Sequence, residues 1–127
     1  MIQGSEEWHQ ARLGKVTASR VADIMAKARS GYAASRKNYM AELLCQRLTG
    51  KREEGFTNAA MQRGTEMEPI ARSRYEVETD VLVAETGLVN HPDIDNFAAS
   101  PDGLIGDDGL LEIKCPNTAT HIEFLQS

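Results

Sequence analysis

Apolar residues recur at helical spacing through roughly the first 77 positions and alternate with polar ones after about position 81, a division that predicts helices first and strands later. Residues 5–14 (SEEWHQARLG) open with Ser5 as a helix N-cap, carry two acids in the first turn and meet Gly14 at the end, the marks of a short helix. In residues 17–28 (TASRVADIMAKA), Val21, Ile24 and Met25 fall at i, i+3 and i+4, with Thr17 or Ser19 as the cap of a second helix. Residues 35–50 (SRKNYMAELLCQRLTG) place Tyr39, Met40, Leu43, Leu44 and Leu48 on one face of a third, from Ser35 to Gly50. The pattern from 58 to 77 is again helical, but Gly64 and Pro69 predict a kink or two shorter helices. Three strands follow, in VLVAETGLVNHP, FAASPDG and GLLEIKCP, and the turn residues 106–109 (GDDG) predict that the last two form a hairpin. Asn117 or Thr118 caps one more helix of about two turns before Ser127, an ending that predicts a domain truncated at its C-terminus.

Composition narrows the class. The 127 residues suit one domain, and 41% hydrophobic with 26% charged residues describes an ordinary globular protein. No run approaches a membrane span and no leader pattern stands at the N-terminus. Cys45 and Cys115 are far apart and outside any zinc spacing, so a reducing cytoplasm fits best.

The net charge of −5 hides an uneven distribution. Residues 1–52 hold 10 Lys and Arg against 4 Asp and Glu, a balance of +6, whereas residues 53–127 hold 4 against 15, a balance of −11. That asymmetry suits a basic surface for phosphates beside an acidic site for metal ions; two differently charged solvated surfaces are the plain alternative.

Chemistry concentrates near the end. Along a strand, Leu111, Ile113 and Cys115 point to one face while Glu112 and Lys114 share the other, and Asp102 closes the neighbouring strand towards that same face. An exposed hairpin with solvated charges satisfies the pattern, and so does phosphodiester hydrolysis, which needs carboxylates to hold Mg²⁺ and an ammonium to orient water or neutralise developing charge. Glu68 shares a helical face with Ala60, Gly64, Ala71 and Tyr75, where either a metal or an ion pair with Arg63, Arg72 or Arg74 accounts for a carboxylate on the packing side. Residues 16–32 (VTASRVADIMAKARSGY) also pass for the start of a helix-turn-helix, which keeps a non-catalytic DNA-binding or oligomerisation module as the alternative function.

Three separated blocks, ARLGKVTAS at 11–19, RGTEMEPIAR at 63–72, and SPDGL with LEIKCP at 100–104 and 111–116, resemble in order the motifs of the lambda-type phage exonucleases, or YqaJ-like viral recombinases. These belong to the PD-(D/E)xK nuclease superfamily, and the resemblance implies an α/β fold with its restriction-endonuclease-like core, a mixed central sheet with N-terminal helices. The resemblance implies a single PD-(D/E)xK exonuclease domain over residues 1–127 whose C-terminal portion is missing. It implies Asp102, Glu112 and the Ile113 carbonyl as metal ligands with Glu68 beside them, Lys114 as the catalytic lysine, and Mg²⁺, with Mn²⁺ as a substitute, as two ions. By the same resemblance Arg12, Ser19 and Ser100 form a 5′-phosphate pocket, and Met61 is the apolar residue that wedges duplex ends apart. Taken singly, the same four residues read as a surface Arg, a helix cap, a turn Ser and a buried helix Met. The activity implied is 5′-to-3′ digestion of double-stranded DNA ends, leaving 3′ single strands for recombination, by a homotrimeric ring with a single-strand annealing partner.

Overall fold

The computed structural model describes residues 1–52 and 58–127. They fold as two compact units, each built from two stretches of chain: Met1–Glu53 with Glu85–Pro101, and Glu54–Ala84 with Asp102–Ser127.

The first unit begins with α1 (Glu6–Arg12), capped as predicted by the Ser5 hydroxyl, which accepts the Trp8 N–H at 3.2 Å. After Leu13 the chain turns at Gly14, whose φ of +71° favours glycine; an added Cβ would also lie 2.5 Å from Arg47 Cγ. Gln46 and Arg47 close this turn from α3: the Gly14 N–H donates to Gln46 Oε1 and Arg47 Nε donates to the Gly14 carbonyl.

Next come β1 (Val16–Thr17), a 3-10 turn over Ala18–Arg20 and α2 (Val21–Met25). The predicted second helix is therefore shorter than its sequence pattern. Thr17 is drawn into a parallel pairing with β3, and neither Thr17 nor Ser19 caps α2. In α3 (Ala34–Thr49), Gly50 ends the helix in the left-handed conformation as expected, but Ala33 rather than Ser35 precedes it. The Ser35 hydroxyl instead donates to the Asp23 carbonyl at 2.8 Å, tying α3 to α2. Of the apolar face predicted for α3, Tyr39 alone is buried, 3% exposed, whereas Met40, Leu44 and Leu48 are exposed.

β3 (Phe97–Ala99) lies between β1, to which it is parallel, and β2 (Val89–Asn90), to which it is antiparallel. Trp8, Tyr39, Ala98 and Thr17 form the buried centre of this unit.

The second unit holds α4 (Ala59–Thr79), a 21-residue helix capped by Asn58, whose Oδ1 accepts the Met61 N–H. It runs on as one helix through Gly64 and Pro69 rather than as two shorter ones. Pro69 removes one backbone donor, and the Glu68–Arg72 ion pair bridges the turn containing it. Gly64, Glu68, Ala71 and Tyr75 are half-buried along the predicted face.

A hairpin of β4 (Gly103–Ile105) and β5 (Gly109–Leu111) follows, with Gly103 paired to Leu111. The turn is where expected, but the first strand of the hairpin is Gly103–Ile105 and not the FAA segment, which pairs in the other sheet. The strands are thus divided between two small sheets rather than gathered in one central sheet. Strand pairing stops at Leu111, yet burial still alternates: Leu111, Ile113 and Cys115 are half-buried while Glu112 and Lys114 are exposed. Asn117 caps α5 (Thr118–Gln126), accepting the Thr120 N–H at 2.8 Å. Among the described residues no helix is long and apolar enough to cross a membrane.

Candidate functional site

The predicted residues fall into two groups, one in each unit. In the second unit, β4 starts immediately after Asp102, and its pairing with β5 fixes where the aspartate stands. The Asp102 N–H donates to the Leu111 carbonyl at 3.1 Å, and Asp102 Oδ2 accepts the Ile113 N–H at 2.8 Å. The carboxylate is thereby pinned to the backbone midway between Glu112 and Lys114. Lys114 Nζ lies 3.8 Å from Glu112 Oε2, with both side chains well exposed.

Glu68 reaches the same hairpin through Arg72. Arg72 Nη2 contacts Glu68 Oε1 at 2.9 Å, and its Nη2 and Nε donate to the Asp102 carbonyl at 3.2 and 3.4 Å. Of the three arginines weighed as partners, Arg72 makes the ion pair. This residue was not singled out for the site, although its i+4 spacing from Glu68 on a helix is a readable signal. Among the described residues no three His, Cys, Asp or Glu side chains come together as a metal cluster. Met61 is exposed in the first turn of α4 and not a core methionine.

In the first unit, Arg12, Ser19 and Ser100 are connected through Trp8 and Thr17, neither of which was singled out for the pocket. The Arg12 guanidinium lies over the Trp8 ring, 4.1 Å from its centroid, and Nη2 reaches Thr17 Oγ1 at 3.4 Å. Thr17 Oγ1 is also 3.4 Å from Ser19 Oγ, and Trp8 Nε1 donates to Ser100 Oγ at 2.9 Å. Tyr39 fixes the frame from below: its hydroxyl accepts the Thr17 N–H, and Arg20 stacks on its ring while pairing with Asp23 and Glu42.

Burial holds the Arg12 pKa below its ordinary value; Tyr39 opposes this, and the positive charges of Arg20 and Arg52 add to it. His9, stacked edge-on against Trp8, is likewise lowered, first by burial and then by Arg52 and Arg12, with Glu6 acting the other way. These cations crowd one another, so an anion placed among them is favoured.

The stretch read as a helix-turn-helix does not have that geometry. α2 is five residues long, and eight residues separate it from α3, more than the 3–4-residue turn of that motif.

Residues 7–127 match the family model of the YqaJ-like viral recombinase domain. Among solved structures, the chain is similar to the alkaline exonuclease LHK-Exo from Laribacter hongkongensis, at 66% identity and a TM-score of 0.85. It is similar also to a crystal structure of LHK-Exo in complex with dAMP, at 66% identity and a TM-score of 0.86. Each match covers 96% of this chain and 59% of the other, so the chain spans about three-fifths of the length of these structures. No curated protein matches it.

Proposed function

The chain belongs to the YqaJ-like viral recombinase family, and from that premise we propose that it is a metal-dependent exonuclease of duplex DNA, digesting from the 5′ end and leaving a 3′ single strand. The observation that carries this reading is the hydrogen bond from the Ile113 N–H to Asp102 Oδ2. It draws an acid, a second acid and an ammonium, the groups that phosphodiester hydrolysis requires, to one hairpin and its continuation.

Asp102, Glu112 and the Ile113 carbonyl are hard oxygen donors, the chemistry preferred by Mg²⁺ or Mn²⁺, and in this reading they hold the ions, with Glu68 as the further carboxylate. A bound divalent cation supplies acidified water and positive charge against the phosphate. Lys114, reaching out from the strand continuation, orients the attacking water or stabilises the charge that builds on the phosphate. Arg72 holds Glu68 against the Asp102 backbone, a positioning role.

In the first unit, Arg12 with Ser19 and Ser100 receives the 5′-phosphate of a DNA end, a guanidinium and two hydroxyls suited to its oxygens. Met61, exposed at the head of α4, is available as the wedge between duplex ends. The dAMP in the related crystal is a nucleoside 5′-monophosphate, the product that release of single nucleotides gives, and supports the reading. Assembly as a homotrimeric ring, work with a single-strand annealing protein and a cytoplasmic setting belong to the same proposal.

Digestion of end-labelled linear and circular duplexes, with Mg²⁺ and with excess EDTA, tests it. Linear DNA should lose its 5′-terminal nucleotides first and only with Mg²⁺, while circles survive. Turnover in EDTA, or cleavage of circles, would remove the reading.

A further inference from the structure

We infer that Trp8 is a positioning residue of the 5′-phosphate pocket, presetting both Arg12 and Ser100 as donors before any DNA end arrives; this rests on the pocket reading above. Trp8 is 7% exposed and does two things at once. Its ring face carries the Arg12 guanidinium at 4.1 Å, and its indole N–H occupies Ser100 Oγ at 2.9 Å.

The directions of the hydrogen bonds carry the argument. An indole nitrogen donates and never accepts, so Ser100 is the acceptor in that pair and its own hydrogen turns elsewhere. Arg12 likewise only donates, so Thr17 Oγ1 is the acceptor towards it. Thr17 Oγ1 also meets Ser19 Oγ at 3.4 Å, a pair in which either hydroxyl can donate. Trp8 and Arg12 thus each engage a pocket hydroxyl as acceptor, which leaves the Ser100 proton and the remaining guanidinium N–H groups for an anion.

A site of that polarity takes an acceptor-only anion such as a terminal phosphate and discriminates against a terminal hydroxyl. Stacking on a rigid ring limits the ways in which the guanidinium can lie, so less order has to be imposed on binding. With the helical spacing of Trp8 and Arg12 at i and i+4, α1 presents both to one side. Ring and arginine therefore act as a unit.

The test measures binding without turnover: fluorescence-anisotropy titration, in EDTA, of labelled duplexes carrying either a 5′-phosphate or a 5′-hydroxyl, against the chain, Arg12→Ala and Trp8→Phe. Phenylalanine keeps an aromatic face for Arg12 and removes the indole donor. Arg12→Ala should abolish the preference for phosphate, and Trp8→Phe should reduce it by about two- to tenfold, the scale of one oriented hydrogen bond. If Arg12→Ala abolishes the preference while Trp8→Phe keeps it whole, the role of Trp8 is overturned and the pocket stands. If Arg12→Ala leaves the preference unchanged, the pocket reading falls and this inference with it.

Should Trp8→Phe fail to fold, the unaltered chain gives the answer, because Trp8 is its one tryptophan. Titration with inorganic phosphate, at ionic strength matched with chloride, should change its emission saturably, and Arg12→Ala should abolish the change. Emission indifferent to phosphate in the unaltered chain overturns the inference.

Discussion

The two units hold their functional side chains in opposite ways. In the first, Arg12, Thr17 and Ser100 are fixed by buried neighbours: Trp8 stacks on Arg12 and donates to Ser100, and Tyr39 accepts the Thr17 N–H. In the second, Asp102 is pinned by backbone, while Glu112 and Lys114 extend from a segment beyond the end of strand pairing and lie exposed. No apolar side chain of the second unit is fully buried among the described residues. The proposed recognition of a DNA end rests on packing, whereas the proposed chemistry rests on a few tethers. Substitutions in the two units should therefore separate into effects on stability and effects on turnover.

Lys114→Ala makes the sharpest cut. An 84%-exposed side chain contributes little packing, so the melting temperature should hardly move. Cleavage of 5′-labelled duplex should fall by about 10²–10⁴-fold, the range for loss of one electrostatic or proton-handling group. Retained turnover removes Lys114 from the mechanism, and a large fall in melting temperature breaks the comparison instead.

Arg72→Met follows in size. Methionine keeps the hydrophobic length of the side chain but releases both Glu68 and the Asp102 carbonyl, and activity should drop about 10–100-fold, as for outer-shell residues at metal sites. Raised Mg²⁺ should recover part of that loss if the arginine acts by holding ligands in place. Rates insensitive to Mg²⁺ at every concentration would argue that it acts by some other route.

On the side of the first unit, Gly14→Ala should cost about 1–3 kcal/mol in denaturant unfolding, combining strain at a φ of +71° with the close approach of Arg47 Cγ. The same substitution at Gly4, also at positive φ but with open space around it, should cost less. Equal costs at the two positions would show that packing at Gly14 carries no weight of its own.

Local signals in the sequence were legible where one residue settles the matter. Ser5 and Asn117 each cap a helix through their own side chain, and Gly50 ends one. Signals that depend on a distant partner were not. Pro69 reads as an interruption because the ion pair across it is a property of the formed helix, and FAASPDG reads as the first strand of the hairpin although that strand starts at Gly103, paired with Leu111. The apolar stripe of α3 is plain in the sequence, but periodicity names a face without saying what covers it. The acid–acid–lysine grouping was readable because alternation along residues 111–115 persists in burial even without a pairing strand. Of the supports of the two sites, Arg72 was weighed only as one of three ion-pair partners of Glu68 and Trp8 not at all, because each acts on a functional residue and not on a substrate, although both stand four positions from the residue they hold.

The smallest expected effect lies in the pH dependence of the first unit. His9 is held below the ordinary histidine value, chiefly by burial and by Arg52 and Arg12, so the unfolded chain takes up a proton there more readily than the folded one. Stability from this group is therefore full above pH about 6.5 and declines as pH falls through the interval between the unfolded and the folded value. His9→Gln should flatten that part of the curve of unfolding free energy against pH and leave the acidic limb below pH about 5, where carboxylates titrate, unchanged. Binding of inorganic phosphate beside Arg12 should oppose the effect, because an anion among these cations favours protonated His9 and raises its pKa. A His9 titration, followed by proton magnetic resonance, that ignores phosphate would mean that the cations around Trp8 do not share one field, and that the packed unit is rigid without being tuned for an anion.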